Sequence, residues 1–287
     1  TDTFGTMKWT NKTYHFNTKQ LILPNLKWSN NTAVGLCTVP SLAADVNLDG
    51  NMEVIRKGAN GIMVFDGETG DVVWHNPVQL YSSHGSLEII DLNKDGIPEI
   101  LAAVQDGSIA AFHGNNGSLY WNNPTAKAAD KYLAAGDIDA DGYPEIFVTT
   151  SGFPGYIWAL THDGVIYAFN TTGYPCWGGL TLGDTNHDGV FELYQNDYYA
   201  YGIRSWDPYD LSLNWNQRFS GRLSAESHAA TLADVNKDGI LDVIAMDQYR
   251  GTYTGLAVLD SQTGEALEGR WTQDITLMYG HDQPTVY

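Results

Sequence analysis

The chain has 287 residues, with 34 Asp and Glu against 15 Lys and Arg for a formal charge of −19, although only 17% of residues are charged. Its 43% hydrophobic content, including 17 Tyr, 9 Trp and 9 Phe, can bury a large core and excludes a disordered acidic tail. The same charge disfavours nucleic acid and anionic membrane surfaces, which would be approached against the field, and leaves cations as the natural partners.

No apolar stretch approaches the roughly 20 residues that cross a bilayer, so no membrane insertion is expected. A chain that begins at Thr1 instead of Met reads as a processed or excised one. Residues 1–28 read as closing strands ending in Trp28. Five segments then align without gaps: DVNLDGNMEV from Asp45, DLNKDGIPEI from Asp91, DIDADGYPEI from Asp137, DTNHDGVFEL from Asp184 and DVNKDGILDV from Asp234. Successive offsets of 46, 46, 47 and 50 residues hold four short strands and their turns, the size of a propeller blade and not of a helical repeat.

Within a period the acidic loop is followed by a β-rich run such as PEILAAV (98–104), a second such as SIAAFHG (108–114), a turn and a third run with an aromatic near its end. In the first period the turn is DGETG (66–70), with the glycine chemistry of a hairpin. Each blade is therefore predicted as antiparallel strands A to D, with the acidic loop joining A to B. Helical periodicity is absent, and 30 glycines would weaken helices.

The aromatics keep the same register. Trp28, Trp74, Trp121, Tyr167 and Trp215 lie 16 to 19 residues before the next motif Asp, and Trp271 points to a further motif just past Tyr287. The expected fold is all-β, a single propeller domain over 1–287 with five blades in 29–280. Residues 1–28 and an inner strand from 281–287 would share one more blade, closing a ring of six, with seven possible. The alternatives are a chain that continues into another motif, or terminal strands exchanged between molecules, which builds polymers when the geometry does not close.

Each loop follows D-x-[DN]-x-D-G-x-x-[DE]. A hard cation such as Ca²⁺ takes about six to eight oxygens, and side chains at positions 1, 3, 5 and 9 with a carbonyl at position 7 supply them. The side-chain ligands are Asp45, Asn47, Asp49 and Glu53; Asp91, Asn93, Asp95 and Glu99; Asp137, Asp139, Asp141 and Glu145; Asp184, Asn186, Asp188 and Glu192; and Asp234, Asn236, Asp238 and Asp242. The carbonyls belong to Asn51, Ile97, Tyr143, Val190 and Ile240. About five Ca²⁺ sites are expected. They would absorb sixteen of the 34 acidic residues and reduce −19 to −9.

These repeats resemble the FG-GAP-like, or VCBS-type, calcium-binding repeats in the propellers of integrin α subunits and of many secreted microbial proteins. The resemblance runs through the five motifs, roughly residues 29–287, and implies calcium in the loops and an extracellular or cell-surface location. It is less specific for activity, since the family spans adhesion modules, surface-layer and filament components, lectins and polysaccharide lyases. The Phe-Gly and Gly-Ala-Pro strings behind the family name are not recognisable here, so integrin-type ligand recognition is not carried over.

Other candidates lie at the opposite, channel-mouth face. His84, His228 and His281, with Cys37, Tyr132 and Cys176, lie 5 to 8 residues before a motif position, and the three histidines are candidates for strand-end caps or for a metal or acid–base cluster. Cys37 and Cys176 would pair only if their loops fold inward across the axis. Aromatic B–C loops bring Trp158, Tyr198, Tyr199 and Tyr249, which can stack on sugars, beside Asp197 and Arg250. Sequons at Asn11, Asn30, Asn116 and Asn170 are candidate glycosylation sites. No catalytic residue is assigned. The expected function is a non-enzymatic extracellular calcium-binding propeller in adhesion, surface display or filament assembly, with calcium, glycans or other copies of itself as partners. The alternative is a lectin or polysaccharide lyase using the channel-mouth face, and the scarcity of Lys and Arg weighs against a lyase acting on a polyanion.

Overall fold

A computed structural model of the chain describes residues 3–9, 12–18, 27–30, 41–80, 86–124, 132–150, 152–176, 178–197, 202–218, 222–223, 229–249, 253–267 and 274–275. All regular structure in these residues is β. A hairpin, β1 (Thr3–Trp9) and β2 (Lys12–Thr18), comes first. Blade one is β3 (Leu42–Ala44), β4 (Glu53–Gly58), β5 (Gly61–Asp66) and β6 (Val72–Asn76); blade two is β7 (Leu87–Ile90), β8 (Glu99–Ala103), β9 (Ile109–His113) and β10 (Leu119–Asn123). Blade three is β11 (Leu133–Gly136), β12 (Glu145–Thr149), β13 (Tyr156–Leu160) and β14 (Ile166–Thr171), and blade four is β15 (Leu180–Gly183), β16 (Glu192–Asp197), β17 (Gly202–Trp206) and β18 (Leu213–Arg218). Blade five holds β19 (Arg222–Leu223), β20 (Thr231–Ala233), β21 (Asp242–Tyr249), β22 (Tyr253–Leu259) and β23 (Asp274–Ile275), where β19 and β20 both pair with β21.

The sheets are antiparallel meanders in strand order A-B-C-D, as expected from the repeat. Alternation along strand B explains how they assemble. In β8, Ile100 and Ala102 pack into the gap toward blade one, whereas Leu101 and Ala103 pack toward blade three. Both faces of a blade are thus apolar, and each gap between blades one and five has its own cluster. Such a two-faced strand must be covered on both sides, which stacks the blades. Inner strands are also tied together, Thr181 Oγ1 donating to Ala230 O at 2.7 Å and Leu133 N donating to Ser86 Oγ at 2.9 Å.

A second device joins the blades at their outer strands. The aromatic sits in the middle of strand D, not near its end as its register suggested; Trp74, for example, is the third residue of β6. Its indole N–H donates to the next blade's C–D turn: Trp28 to Gly67 O (3.0 Å), Trp74 to Gly114 O (2.8 Å), Trp121 to His162 O (3.0 Å) and Trp215 to Ser261 O (2.9 Å). An Asn two residues later reaches the same turn, Asn30 to Gly70 O at 2.6 Å, Asn76 to Gly117 O at 2.8 Å and Asn123 to Gly164 O at 2.5 Å. The ring lies so close to the turn that a Cβ on Gly70, Gly117, Gly164 or Gly264 would stand 2.4 to 2.8 Å from it, and each of these glycines has φ between 70° and 82°.

The joint from blade three to blade four departs from this pattern on both sides at once. Tyr167 replaces Trp and donates to Pro208 O at 2.9 Å, while Asn170 donates to Leu211 O at 2.9 Å. Leu211 takes the glycine's place with φ 58° and is fully buried. The smaller ring leaves room for the larger turn residue.

The hairpin β1–β2 falls within the segment expected to close a shared blade. Residues 281–287, with His281, and Trp271 lie outside the described residues, so ring closure does too. The latch carries a prediction. Trp121→Ala should destabilise the fold by about 3 kcal/mol and Gly117→Ala by about 1–3 kcal/mol through overpacking against Trp74, both read from denaturant midpoints.

Candidate metal sites

Five loops connect strand A to strand B, and the pairing is the same in each. The last residue of strand A faces the last motif residue: Ala44 with Glu53, Ile90 with Glu99, Gly136 with Glu145, Gly183 with Glu192 and Ala233 with Asp242. The loop between is wound on its own side chains. Oδ2 of the first Asp accepts from the glycine N–H at 2.8 to 3.0 Å in all five loops. Oδ1 at position 3 accepts from the N–H of position 5 at 2.8 to 3.1 Å. Oδ1 at position 5 accepts from the N–H of position 7 at 2.6 to 2.8 Å.

This winding needs two left-handed residues, position 4 (φ 59° to 66°) and the glycine (φ 86° to 91°). A β-carbon is tolerated in the first of these conformations at some cost and strongly opposed in the second, which fixes the glycine.

The position-9 carboxylate is the pivot. It accepts from the N–H of position 2, at 3.0 Å for Val46 to Glu53, 2.9 Å for Leu92 to Glu99, 3.1 Å for Ile138 to Glu145, 3.0 Å for Thr185 to Glu192 and 3.0 Å for Val235 to Asp242. Glu53, Glu99, Glu145 and Asp242 are buried. Burial pushes their carboxyls above the usual carboxylate range; the position-2 N–H opposes the shift, and negative neighbours add to it, the loop's own Asp residues in each case. At Glu99 a further opposing contribution comes from His113, whose Nδ1 lies 3.3 Å from Oε1.

In blade four, Thr185 replaces the aliphatic at position 2 and bonds through Oγ1 to Glu192 Oε2 (2.7 Å), with Tyr194 OH at 3.2 Å and Gln262 Nε2 at 2.9 Å.

The third loop differs. Carboxylate oxygens of Asp137, Asp139 and Glu145 all lie within 4.8 Å of one another, and Asp137 Oδ1 is buried without a hydrogen-bond partner. Three anionic oxygens converging on one point, one of them unsatisfied, fit a hard divalent cation, because an ion supplies the missing partner. From the neighbouring loop Lys94 reaches across, donating to Asp141 O at 2.6 Å with its ammonium 3.6 Å from the centre of the Tyr143 ring. Tyr143 in turn stacks on His162 at 4.2 Å.

At the opposite end of the blades, His84, Tyr198, Tyr199, His228, Arg250 and Cys37 lie outside the described residues, and Tyr249 is described in its backbone alone. Cys176 is buried, 2.9 Å from Gln195 Nε2 and 3.1 Å from Thr172 Oγ1; its pairing with Cys37 falls outside the described residues. Of the sequons, Asn11 lies outside the described residues, and Asn116 sits in a turn where its Oδ1 accepts from Ser118 N. The amides of Asn30 and Asn170 are engaged in the blade joints, a role that competes with glycan attachment.

The aromatic loop SGFPGYIW (151–158) singled out in the sequence is part of a wider aromatic surface on blade three, whose Phe169 and Tyr174 the sequence reading missed. Trp158 stacks on Phe169 at 5.0 Å and lies 5.7 Å from Tyr156, while the exposed Phe153 meets Tyr174 edge-on at 6.4 Å. Between Ile146 and Gly183 the single charged residue is Asp163.

The chain contains FG-GAP-type repeats: the FG-GAP-like repeat family matches residues 91–148 and the FG-GAP repeat family matches residues 133–169. Both matches include the third loop. The λ-carrageenase of Pseudoalteromonas carrageenovora is 28% identical over 116 residues, 37% of this chain and 12% of that protein. Among solved structures, Sqt1 of Saccharomyces cerevisiae superposes with TM-score 0.56 at 10% identity, over 83% of this chain and 63% of the other. The quinohemoprotein alcohol dehydrogenase ADHIIG of Pseudomonas putida HK5 superposes with TM-score 0.54 at 12% identity, over 79% of this chain and 42% of the other. The chain thus spans less than two thirds of these relatives, and the structural likeness establishes the β-propeller fold.

One acidic group outside the loops carries a prediction. Glu88, half-buried on inner strand β7, has its pKa pushed up to about 7 by burial. Below its ordinary value near 4.5 it is neutral in both folded and unfolded chains, so it contributes nothing there. As pH rises from about 4.5 to about 7 the folded state loses up to about 3 kcal/mol relative to the unfolded one, and the loss levels off above that. Glu88→Gln should therefore be neutral at pH 4 and stabilising at pH 8 in denaturant titrations.

Proposed function

We propose that this chain is an extracellular, non-enzymatic β-propeller whose A–B loops bind calcium, serving adhesion, surface display or assembly. The observation that carries this reading is the five-fold recurrence of one oxygen cradle, closed in every blade by the same carboxylate-to-backbone bond. A bound cation would neutralise carboxylates that otherwise repel. The residues of this chain would do the rest: Asp at positions 1 and 5 and Asn or Asp at position 3 present oxygens, the glycine permits the turn, and the position-9 carboxylate ties the ion to the start of strand B. Metal binding then fastens the inner strand to the remainder of its blade.

Sites in the range typical of extracellular modules, with Kd of about 10⁻⁴ to 10⁻³ M, fill outside cells and stay empty in the cytosol. Calcium at a hundredfold excess over Kd stabilises by about 2.7 kcal/mol per site. The melting temperature should accordingly rise steeply when calcium is added to the chelated protein and fall again with excess chelator. An unchanged transition at millimolar calcium overturns the proposal.

A second reading, carbohydrate binding, is favoured by the uncharged aromatic surface of blade three. Phe153 (77% exposed) and Tyr174 (45%) lie at the channel-mouth end, and Phe169 (61%) lies on the outer strand. Aromatic faces beside hydroxyl and amide groups stack on sugar rings. The similarity to a carrageenase adds weight. The stretch from Ile146 to Gly183 contains no Lys or Arg, which suits a neutral polysaccharide and not a sulfated one. Affinity electrophoresis in neutral polysaccharide gels should retard the protein, with retardation lost on Phe153→Ala or Phe169→Ala; unhindered migration across the panel eliminates this reading.

A further inference from the structure

We infer that the five loops form two classes of site, with loop three binding its cation most tightly and filling first. The inference rests on the calcium reading above and concerns how the sites differ.

The distinction lies at position 3. In four loops this residue is Asn, and its amide does part of the work of a cation. Asn47 Nδ2 donates to Asp49 Oδ2 and to Glu53 Oε1, both at 3.2 Å. Asn93 Nδ2 donates to Glu99 Oε1 at 3.3 Å, Asn186 Nδ2 to Asp188 Oδ2 at 2.9 Å and Asn236 Nδ2 to Asp238 Oδ2 at 2.8 Å. In loop one the amide spans the gap between two like charges; in the other three it donates to one carboxylate, Asn186 also reaching Gln262 Oε1 at 3.3 Å, so these loops hold their shape with three carboxylates and an internal donor.

Loop three has Asp139 at this position. It carries four carboxylates and lacks the bridging amide, and Asp137 Oδ1 is left buried without a partner. Among the described residues no Lys or Arg forms an ion pair with its carboxylates; the nearby Lys94 is pinned to the carbonyl of Asp141 and the ring of Tyr143. Affinity in oxygen-ligand sites scales with the number of charged ligands and the rigidity of the cradle. Loop three is richest in charge and is braced by Lys94 on one side and by the Tyr143–His162 stack on the other. A cation there relieves more repulsion than in any sister loop. Because Lys94 belongs to loop two, filling loop three also consolidates the joint between blades two and three. The remaining loops, each already supplied with an amide donor, fill at higher concentration and add stability in a second phase.

The test is calorimetric titration of calcium into the chelated full chain, paired with terbium luminescence excited through tyrosine, since Tyr143 is the aromatic residue at position 7 among the five loops. One tight site followed by a weaker set is expected. Asp139→Asn makes loop three resemble its sisters, so it should fold, lose the tight phase by about tenfold or more in affinity, and lose the early luminescence rise. Asn47→Asp reproduces the loop-three ligand set in loop one and should raise the tight stoichiometry from one to two. Five sites of a single class, or a tight phase that survives Asp139→Asn, overturns the inference while leaving calcium binding intact. No heat and no thermal shift with calcium at any concentration overturns the underlying reading instead.

Discussion

A carboxylate, buried in four loops and partly buried in the fifth, that accepts a backbone N–H seven residues earlier in the chain is the contact on which this architecture turns. It occurs in all five A–B loops with nearly constant length, 2.9 to 3.1 Å. The bond joins the first residue of strand B to the exit of strand A, and the residue whose N–H is captured sends its own side chain into an inter-blade cluster, as Val46, Leu92 and Ile138 do. Electrostatics at the loop and apolar packing in the gap are therefore set by neighbouring atoms of one dipeptide. A buried anion held by few hydrogen bonds is an expensive element to keep. Its recurrence in four of the five blades is the physical reason for proposing a cation beside it.

The loops were legible in the sequence because every constraint on them is local. The spacing of the acidic and amide residues, the glycine and the strand that follows all lie within ten residues, and the structure puts the last motif residue of each loop at the start of strand B, as the pattern requires. The blade meander was legible for a related reason, since the turn between strands C and D carries its own chemistry in DGETG (66–70).

The joints between blades were only half visible. The aromatic register stood out as a period, but its purpose depends on a glycine about 42 residues ahead, in Trp28 with Gly70 or Trp74 with Gly117, and nothing local marks such a pair. The Tyr167–Leu211 exchange is intelligible only once the two are seen in contact. Thr185 likewise looks like an ordinary variant of an aliphatic position until Glu192, Tyr194 and Gln262 are found around its hydroxyl. The Phe153–Tyr174 pair was missed because it joins a B–C loop to the segment after strand D, two stretches with no shared period.

The joints also have a direction. Among the described residues, blades one to four offer an aromatic on the outer strand, the first three with an amide as well, and the next blade receives them on its C–D turn, so donor and acceptor surfaces are distinct and the interface is head to tail. A surface of this kind encodes no stopping point; how many blades a ring holds is set by wedge angle and by how the last joint is made, not by the joint's chemistry. The blade three to blade four joint is the exception, because its paired Tyr167 and Leu211 act as a lock and key cut differently from the others. Blades one and two are interchangeable cassettes at this level of detail, whereas transplanting blade four without blade three would bring a tryptophan against Leu211, where only a glycine leaves it space.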